Sequence, residues 1–173
     1  MNKYIFPNII RIIVIFLVQV LIFKQMTFTV DNTIFVHFLI YPLAILLFPV
    51  KTPRIILMIT GFIMGLGLDL FYDSVGIHAA TLVFTAYIRN IVIAFIEPFD
   101  KYNVIDVPTI RNLGIGWFVS YLSILLFIHI LVYFSIEAFS FVYFFEIFIN
   151  TIFSFIVSFI IIMLSQLIFR PKF

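Results

Sequence analysis

Two carboxylates and one histidine are the residues in this sequence whose types and spacing most suggest chemistry. Asp69 and Asp73 are four residues apart, so on a helix they share one face, and His78 follows just beyond a tight turn. Such a set can bind a metal ion or act in acid–base catalysis. It lacks a third carboxylate or a second histidine at matched depth, so we expect a ligand, proton or helix-capping role instead. Asp73 and Ser74 also suit the N-cap of the next helix.

Arg89 is a charged residue inside an apolar run. With a rise of about 1.5 Å per residue, it lies roughly 10 Å from the nearer end of its helix, and Asp69 lies roughly 20 Å from that same boundary. A direct Asp69–Arg89 ion pair is therefore not expected. The sequence favours an Arg89 side chain that extends to the membrane interface. If it points inward, Asn90, Tyr87 or a partner protein would contact it.

The composition indicates that these residues are embedded in lipid. The chain has 173 residues, of which 65% are hydrophobic and 10% charged, with a mean hydropathy of +1.29. A soluble domain is about 45–50% apolar and about 25% charged. The absence of cysteine excludes disulfides, thiolate metal sites and cysteine nucleophiles. We therefore predict one integral membrane domain over residues 1–173, with no soluble catalytic domain.

Six apolar runs are long enough to be considered as membrane spans. A spanning helix needs roughly 20 mostly apolar residues. The second run, 34–48, is short, and we extend it with residues 30–33. Backbone polar groups in lipid must be bonded internally, so all six spans are expected to be helical. The predicted fold is an all-α bundle of six transmembrane helices over residues 5–23, 30–48, 55–71, 77–96, 113–136 and 141–169.

Lysine and arginine concentrate at one side of the predicted bundle. They flank the N-terminus, the second and fourth connections and the C-terminus, whereas Lys24 alone lies on the opposite side. Positively charged loops stay in the cytoplasm. Both termini and these two connections are therefore expected to be cytoplasmic, in a multi-pass membrane protein. The fourth connection, 97–112, is the only sizeable loop and is expected to lie on the cytoplasmic surface.

Three glycines in the third predicted span suggest close helix packing. Gly61 and Gly65 are four residues apart and share a face, and Gly67 follows. Small residues at this spacing let two helix backbones approach closely. Each glycine costs about 1 kcal/mol in a helix relative to alanine, so three of them indicate a structural or functional reason. Packing within the chain is the favoured interpretation, and a docking face for a partner helix is the alternative.

Sequence motifs for catalysis or nucleic-acid binding are absent. The chain contains no Walker motif, no HExxH and no GxSxG, and no serine has a convincing base beside it. Its basic residues are too few and too dispersed for nucleic-acid recognition. We therefore expect a protein that is not an enzyme and that uses no cofactor and no metal.

A resemblance to a known family appears between Tyr41 and Arg89. The stretch contains PVKTPR at 49–54, GFIMGLGLDL at 61–70, DSVGIHAA at 73–80 and AYIR at 86–89. The order G-x-x-x-G-L-x-x-D-L and then G-x-H-A resembles the rod shape-determining protein MreD family. The length of the chain and the number of predicted spans are also similar to that family.

This resemblance implies a non-enzymatic membrane scaffold of the bacterial cell-elongation machinery. Its partner would be an MreC-like single-span protein and, indirectly, the MreB filament, the RodA glycosyltransferase and a class B transpeptidase of peptidoglycan synthesis. The fold would be similar to the six-helix substrate-binding component of vitamin (ECF-type) transporters, with a pocket open to the outside. Asp69, Asp73 and His78 would lie near the mouth of that pocket. The glycine face would be the first candidate for docking the partner.

Two other functions stay open at this point. The same bundle with a filled outer pocket would be the small-molecule, vitamin-like binding component of a transporter. An intramembrane enzyme would need catalytic groups that converge at one depth, and Asp69, Asp73 and His78 are the only candidates for that.

Overall fold

The computed structural model describes residues 2–26, 28–30, 34–98, 102 and 106–169, and it is mainly helical. In this part of the chain, four helices are long and apolar enough to cross a membrane. They are preceded by α1, Asn2–Leu21. The chain therefore belongs to the all-α class of membrane proteins. The four helices are α3 (Arg54–Tyr72), α4 (Ile77–Phe95), α6 (Ile115–Ala138) and α7 (Phe144–Phe169).

Short elements join these helices. A two-stranded antiparallel hairpin, β1 (Phe28–Val30) and β2 (Ile34–Val36), pairs Thr29 with Phe35. The four-residue helix α2 is Leu43–Leu46, and α5 is Ile110–Leu113. We refer to the end of the bundle that carries residues 49–54 and 106–112 as the basic end, and to the opposite end, with the hairpin and the α3–α4 turn, as the outer end.

The core lies where α4 and α6 meet. Helix α3 packs on α4, α4 on α6, and α6 on α7. Along α6, the fully buried residues recur at helical spacing, for example Phe118, Leu122 and Leu125. Ile55 and Ile63 on the other side of α3 are 70% and 65% exposed, which is the pattern of a helix that faces lipid.

The predicted second span, 30–48, is not a helix. It forms strand β2, then an extended segment at 37–40, and then the short helix α2. All residues from Leu39 to Phe48 are buried. Hydropathy cannot distinguish a buried extended run from a buried helix, and it does not show whether the backbone has other partners. Non-helical backbone is tolerated at membrane depth only where protein surrounds it, and that condition holds here.

Helix α7 supplies acceptors for one edge of this extended segment. Alternate backbone N–H groups, those of Phe35, His37 and Leu39, donate to side chains of α7. Their acceptors, one helical turn apart, are Asn150 Oδ1 at 3.1 Å, Ser154 Oγ at 3.0 Å and Ser158 Oγ at 2.9 Å. Two residues of a strand advance about 6.6 Å, and four residues of a helix about 6.0 Å, so the two repeats match over the two steps that separate these three hydrogen bonds. We call this set the α7 ladder.

One glutamine of α1 serves the other edge. The Gln19 side chain donates from Nε2 to the Phe38 carbonyl at 2.9 Å and accepts at Oε1 from the N–H groups of Ile40 at 2.9 Å and Tyr41 at 3.3 Å. Its Nε2 also donates to the Tyr72 hydroxyl at 2.8 Å. Gln19 therefore joins α1, the extended segment and α3.

The loop 97–112 is partly folded onto the basic end. Tyr102 is 7% exposed, and its hydroxyl lies 3.1 Å from the Ile93 carbonyl and 3.0 Å from Trp117 Nε1, which donates to it. Burial raises the pKa of the Tyr102 phenol, so the group stays neutral and can donate and accept. The Asp106 carbonyl accepts from Val50 N–H at 2.8 Å. The described part of this loop is thus packed against the bundle, while residues 99–101 and 103–105 lie outside the described residues.

Candidate functional site

Asp69 caps the helix that follows its own. Its Oδ1 accepts from the backbone N–H of His78 at 3.0 Å, and its Oδ2 accepts from that of Ala79 at 3.1 Å. The Ser74 hydroxyl donates to Oδ1 at 2.6 Å. The first N–H groups of a helix have no partner within it, and a carboxylate at this end is favourable. Asp69 therefore holds the N-terminus of α4 from within α3, which matches the helix-capping role among the predicted ones.

His78 has one nitrogen tied to Asp69 and one without a partner. Nδ1 lies 3.0 Å from Asp69 Oδ1 and 3.0 Å from Ser74 Oγ. The Ser74 proton is already donated to Asp69, so both oxygens accept from Nδ1–H. In the neutral ring, Nε2 then carries the lone pair. This nitrogen is buried and has no hydrogen-bond partner within the described residues.

Three tyrosine rings surround the His78 imidazole. Ring centroids lie at 4.7 Å for Tyr72, 5.2 Å for Tyr133 and 5.4 Å for Tyr41. His78 itself is fully buried. The ring orientation is therefore fixed by packing on its faces and by Asp69 at Nδ1.

Asp73 does not cap α4, contrary to the sequence prediction. It ends α3 in the left-handed conformation, with φ 54°, and its side chain is exposed. The residue before α4 is Gly76, at φ 78°, which offers no side chain for capping. The N–H groups of His78 and Ala79 donate to Asp69 instead.

A cavity opens at the outer end above the Asp69–His78 pair. Its volume is about 610 Å³, and we call it the outer cavity. The α3–α4 turn, α6 and the extended segment form its walls. The side chains with polar atoms that line it include His37, Tyr72, Asp73, His78, Tyr133 and Glu137. Asp73 and His78 thus line one opening, while Asp69 lies behind His78.

Two further depressions adjoin the outer cavity. One, of about 520 Å³, shares His37 and Glu137 with it and adds Glu146. The other, of about 630 Å³, runs between α6 and α7, shares Ile136 and Phe139 with the outer cavity and has a largely apolar lining. We call the latter the apolar groove. Within the described residues, no group of three or more His, Cys, Asp and Glu side chains is placed to hold a metal ion.

Arg89 points inward, and the prediction that it extends to the interface is wrong. The residue is fully buried. Its Nε donates to the Tyr121 hydroxyl at 2.8 Å, and Tyr121 in turn donates to the Leu46 carbonyl at 2.9 Å. Nη2 donates to the carbonyls of Phe48 and Pro49. These carbonyls follow the short helix α2 and lack helical partners, so they attract the guanidinium more than the interface does.

A second buried histidine is fully satisfied. His129 Nε2 lies 2.9 Å from the Tyr41 hydroxyl, and Nδ1 lies 2.7 Å from Thr85 Oγ1. Thr85 donates its own proton to the Thr81 carbonyl at 2.8 Å. Nδ1 must therefore be the donor and Nε2 the acceptor from Tyr41. The contact between Tyr41, Thr85 and His129 could not be predicted from the sequence, because these residues come from the non-helical segment, α4 and α6.

The glycine face is filled by the chain itself. A Cβ added at Gly65 would lie 2.3 Å from Ala79 Cα, and one at Gly61 would lie 3.3 Å from the Leu82 carbonyl oxygen. At Gly67 it would meet the Phe16 ring of α1 at 3.0 Å. We therefore correct the docking-face prediction for Gly61, Gly65 and Gly67. Internal packing, the favoured alternative, is what the structure shows.

Comparisons with known proteins identify no relative. No family model, no curated protein and no solved structure matches the chain.

Proposed function

We propose that this chain is a non-enzymatic scaffold of the bacterial cell-elongation machinery, in the cytoplasmic membrane. It would bind an MreC-like single-span protein and, through it, act on the MreB filament, the RodA glycosyltransferase and a class B transpeptidase. The proposal takes the bundle to be six-spanning, with the basic end in the cytoplasm and a likeness to the substrate-binding component of ECF-type transporters.

The observation that supports this proposal most is that the family-like residues form one packing unit. Gly65 lies against Ala79, and Asp69 accepts from the N–H groups of His78 and Ala79. The spacing G-x-x-x-D, followed by H-A, thus has a structural reason, because these residues form the contacts that join α3 to α4 at the outer end. A chance likeness in an apolar sequence would not require its matching residues to contact one another.

The chemistry of the polar residues also suits a scaffold. Asp69, Arg89 and His129 form hydrogen bonds with backbone groups or with neighbouring side chains of the chain. These hydrogen bonds hold the helices and the extended segment together, and a rigid bundle offers a partner a fixed surface.

The partner surface that we favour is the outer rim of α6 and α7. Phe139, Val142 and Phe145 are 93%, 86% and 79% exposed, beside the apolar groove. In a membrane protein, exposed apolar side chains face lipid or a partner helix, and the groove beside these residues offers a partner helix a concave surface to fill. Because the chain lacks cysteine, single cysteines introduced here can be crosslinked without background.

The crosslinking test compares two exposed sites at the same end of the bundle. Val142→Cys should crosslink to a cysteine at the outer end of the MreC-like span in native membranes. The matched control is Leu70→Cys, 81% exposed on α3. Equal crosslinking from both positions would exclude the α6–α7 rim as the docking surface.

The cellular role is tested by depletion of the chain from the bacterium that encodes it. We expect cells to widen and round up and labelled cell-wall precursors to lose their pattern along the side wall. Unchanged cell width and an unchanged labelling pattern, with depletion verified, would refute the scaffold proposal.

A second candidate function is the small-molecule binding component of a transporter. The outer cavity favours it, because an opening of about 610 Å³ above a buried, unpaired His78 Nε2 is not needed for a scaffold. Co-purification with transporter ATPase subunits, together with loss of uptake of one nutrient on deletion, would favour this function over the first.

A further inference from the structure

The outer cavity combines aromatic rings, carboxylates and one buried acceptor. Tyr72 and Tyr133 flank His78, and Asp73 and Glu137 bring two carboxylates to the opening. Both acidic residues are exposed, and Glu137 makes a side-chain hydrogen bond with Tyr133, so both carboxylates lie at the cavity. A half-enclosed site with this lining attracts positive charge, both by Coulomb attraction and through the ring faces.

The unpaired acceptor of His78 limits which chemical groups a ligand can place beside it. Because Nδ1–H is donated to Asp69 and Ser74, Nε2 presents a lone pair. A buried acceptor without a partner is costly, and a ligand N–H or O–H would remove that cost. A carboxylate or a phosphodiester offers no hydrogen from its anionic group to this nitrogen, and any anion would be repelled by Glu137 and Asp73.

We propose that the outer cavity binds an organic ammonium group, which donates to His78 Nε2 and pairs with the Glu137 carboxylate. This site goes beyond the scaffold role and does not depend on it. The basic residue on this side, Lys24, donates to the Phe71 carbonyl and lies 5.8 Å from the centre of the Tyr72 ring. The Lys24 ammonium group therefore lies at the C-terminal end of α3, whereas the carboxylates of Asp73 and Glu137 line the opening of the cavity.

Two sources could deliver the ammonium group. One is a free amine. The other is the headgroup of an ammonium-headed phospholipid, whose acyl chain would lie in the apolar groove, since Ile136 and Phe139 border both spaces. The chemistry at His78 and Glu137 is the same in both cases.

Binding of a free amine is tested with probes that differ in charge. Purified full-length protein in maltoside micelles, which contain no ammonium, is titrated with hexylamine, hexanol and hexanoate. We expect hexylammonium to bind at least about tenfold more tightly than hexanol, as one charge-assisted hydrogen bond would produce. In protein labelled with ¹⁵N-histidine, the His78 Nε2 resonance should shift on binding, because its lone pair then accepts a hydrogen bond from the ligand.

The variants are chosen so that folding is not at issue. Glu137→Gln changes an exposed carboxylate to a neutral amide of the same shape and should weaken hexylammonium binding about tenfold or more. The matched control is Glu146→Gln, which lines only the neighbouring depression and should leave binding within about twofold.

The lipid source is tested by native mass spectrometry of protein from mixed nanodiscs. Retention of phosphatidylethanolamine over phosphatidylglycerol, lost in Glu137→Gln, would assign the site to a lipid headgroup. Hexylammonium selectivity without lipid selectivity would assign it to a free amine. If wild-type protein shows neither preference, or if Glu137→Gln leaves both unchanged, the cavity holds only water and the proposal is wrong. Any of these results leaves the cell-shape test of the scaffold role unaffected.

Discussion

The α7 ladder makes a specific prediction about Ser158. In Ser158→Ala, the Leu39 N–H, which donates to Ser158 Oγ at 2.9 Å in the buried core, is left without a partner. An unsatisfied buried donor costs about 1–3 kcal/mol. Because water cannot reach this position readily, we expect a loss of unfolding free energy of about 2 kcal/mol. Adding Ser154→Ala removes the acceptor of His37 N–H and should bring the loss to about 3–4 kcal/mol.

The assay needs a serine that lacks this role. Ser120 is exposed, and its hydroxyl donates at 3.1 Å to the Gly116 carbonyl of its own helix. Ser120→Ala should therefore change stability by less than about 0.5 kcal/mol. Unfolding by SDS in mixed micelles can be followed through the single tryptophan, Trp117. Amide exchange in the peptide 35–41 should accelerate in Ser158→Ala by about tenfold for every 1.4 kcal/mol lost.

One result would refute this reasoning directly. If Ser158→Ala and Ser120→Ala have equal effects on stability, and if exchange in the peptide 35–41 is unchanged, the hydroxyls of α7 are not the partners of the extended segment. The backbone there would then have to be satisfied by water or by a helix, and the description of residues 37–40 as a supported extended segment would fail.

Other substitutions test the α3–α4 junction. Gly65→Ala puts a Cβ 2.3 Å from Ala79 Cα and should cost about 1–3 kcal/mol in thermal unfolding, whereas Gly116→Ala, with open space around it, should be neutral or stabilising. Asp69→Ala removes the acceptor of two helix N–H groups and should cost about 2–4 kcal/mol, whereas Asp73→Gly, at φ 54°, should preserve or raise stability. Equal effects within either pair would contradict the corresponding contact.

The helices could be predicted from the sequence because one property decides them. A long apolar run that faces lipid cannot leave its backbone unpaired, so length and hydropathy suffice to predict a lipid-facing helix. The predicted runs 55–71 and 77–96 correspond to Arg54–Tyr72 and Ile77–Phe95, and the predicted runs 113–136 and 141–169 to α6 and α7. Their ends differ by a few residues, as is usual where capping decides the boundary.

The extended segment could not be predicted from its own residues. Whether residues 37–40 are helical depends on acceptors that lie more than a hundred residues later in the chain, in α7. A signal did exist, since Asn150, Ser154 and Ser158 recur every fourth residue on a helix that is mostly apolar. Such a polar row predicts a partner with unsatisfied backbone, but it does not say which segment that partner is.

The same reasoning explains why the sequence interpretation of Arg89 and Asp73 was wrong. It assigned Arg89 to the interface and Asp73 to the N-terminus of α4, whereas Arg89 binds carbonyls of the segment after α2 and Asp69 caps α4. In this bundle, several buried polar side chains form hydrogen bonds with backbone groups that lack partners within a helix or strand. Asp69 does so at the start of α4, and Gln19 does so along the extended segment. His78 Nε2 differs from these groups because it has no partner in the described residues. Arg89 Nη1, Asn90 Oδ1 and Gln166 Oε1 also have none, but of these residues His78 is the one that lines the outer cavity. That contrast is the reason to look for the ligand of this protein at His78.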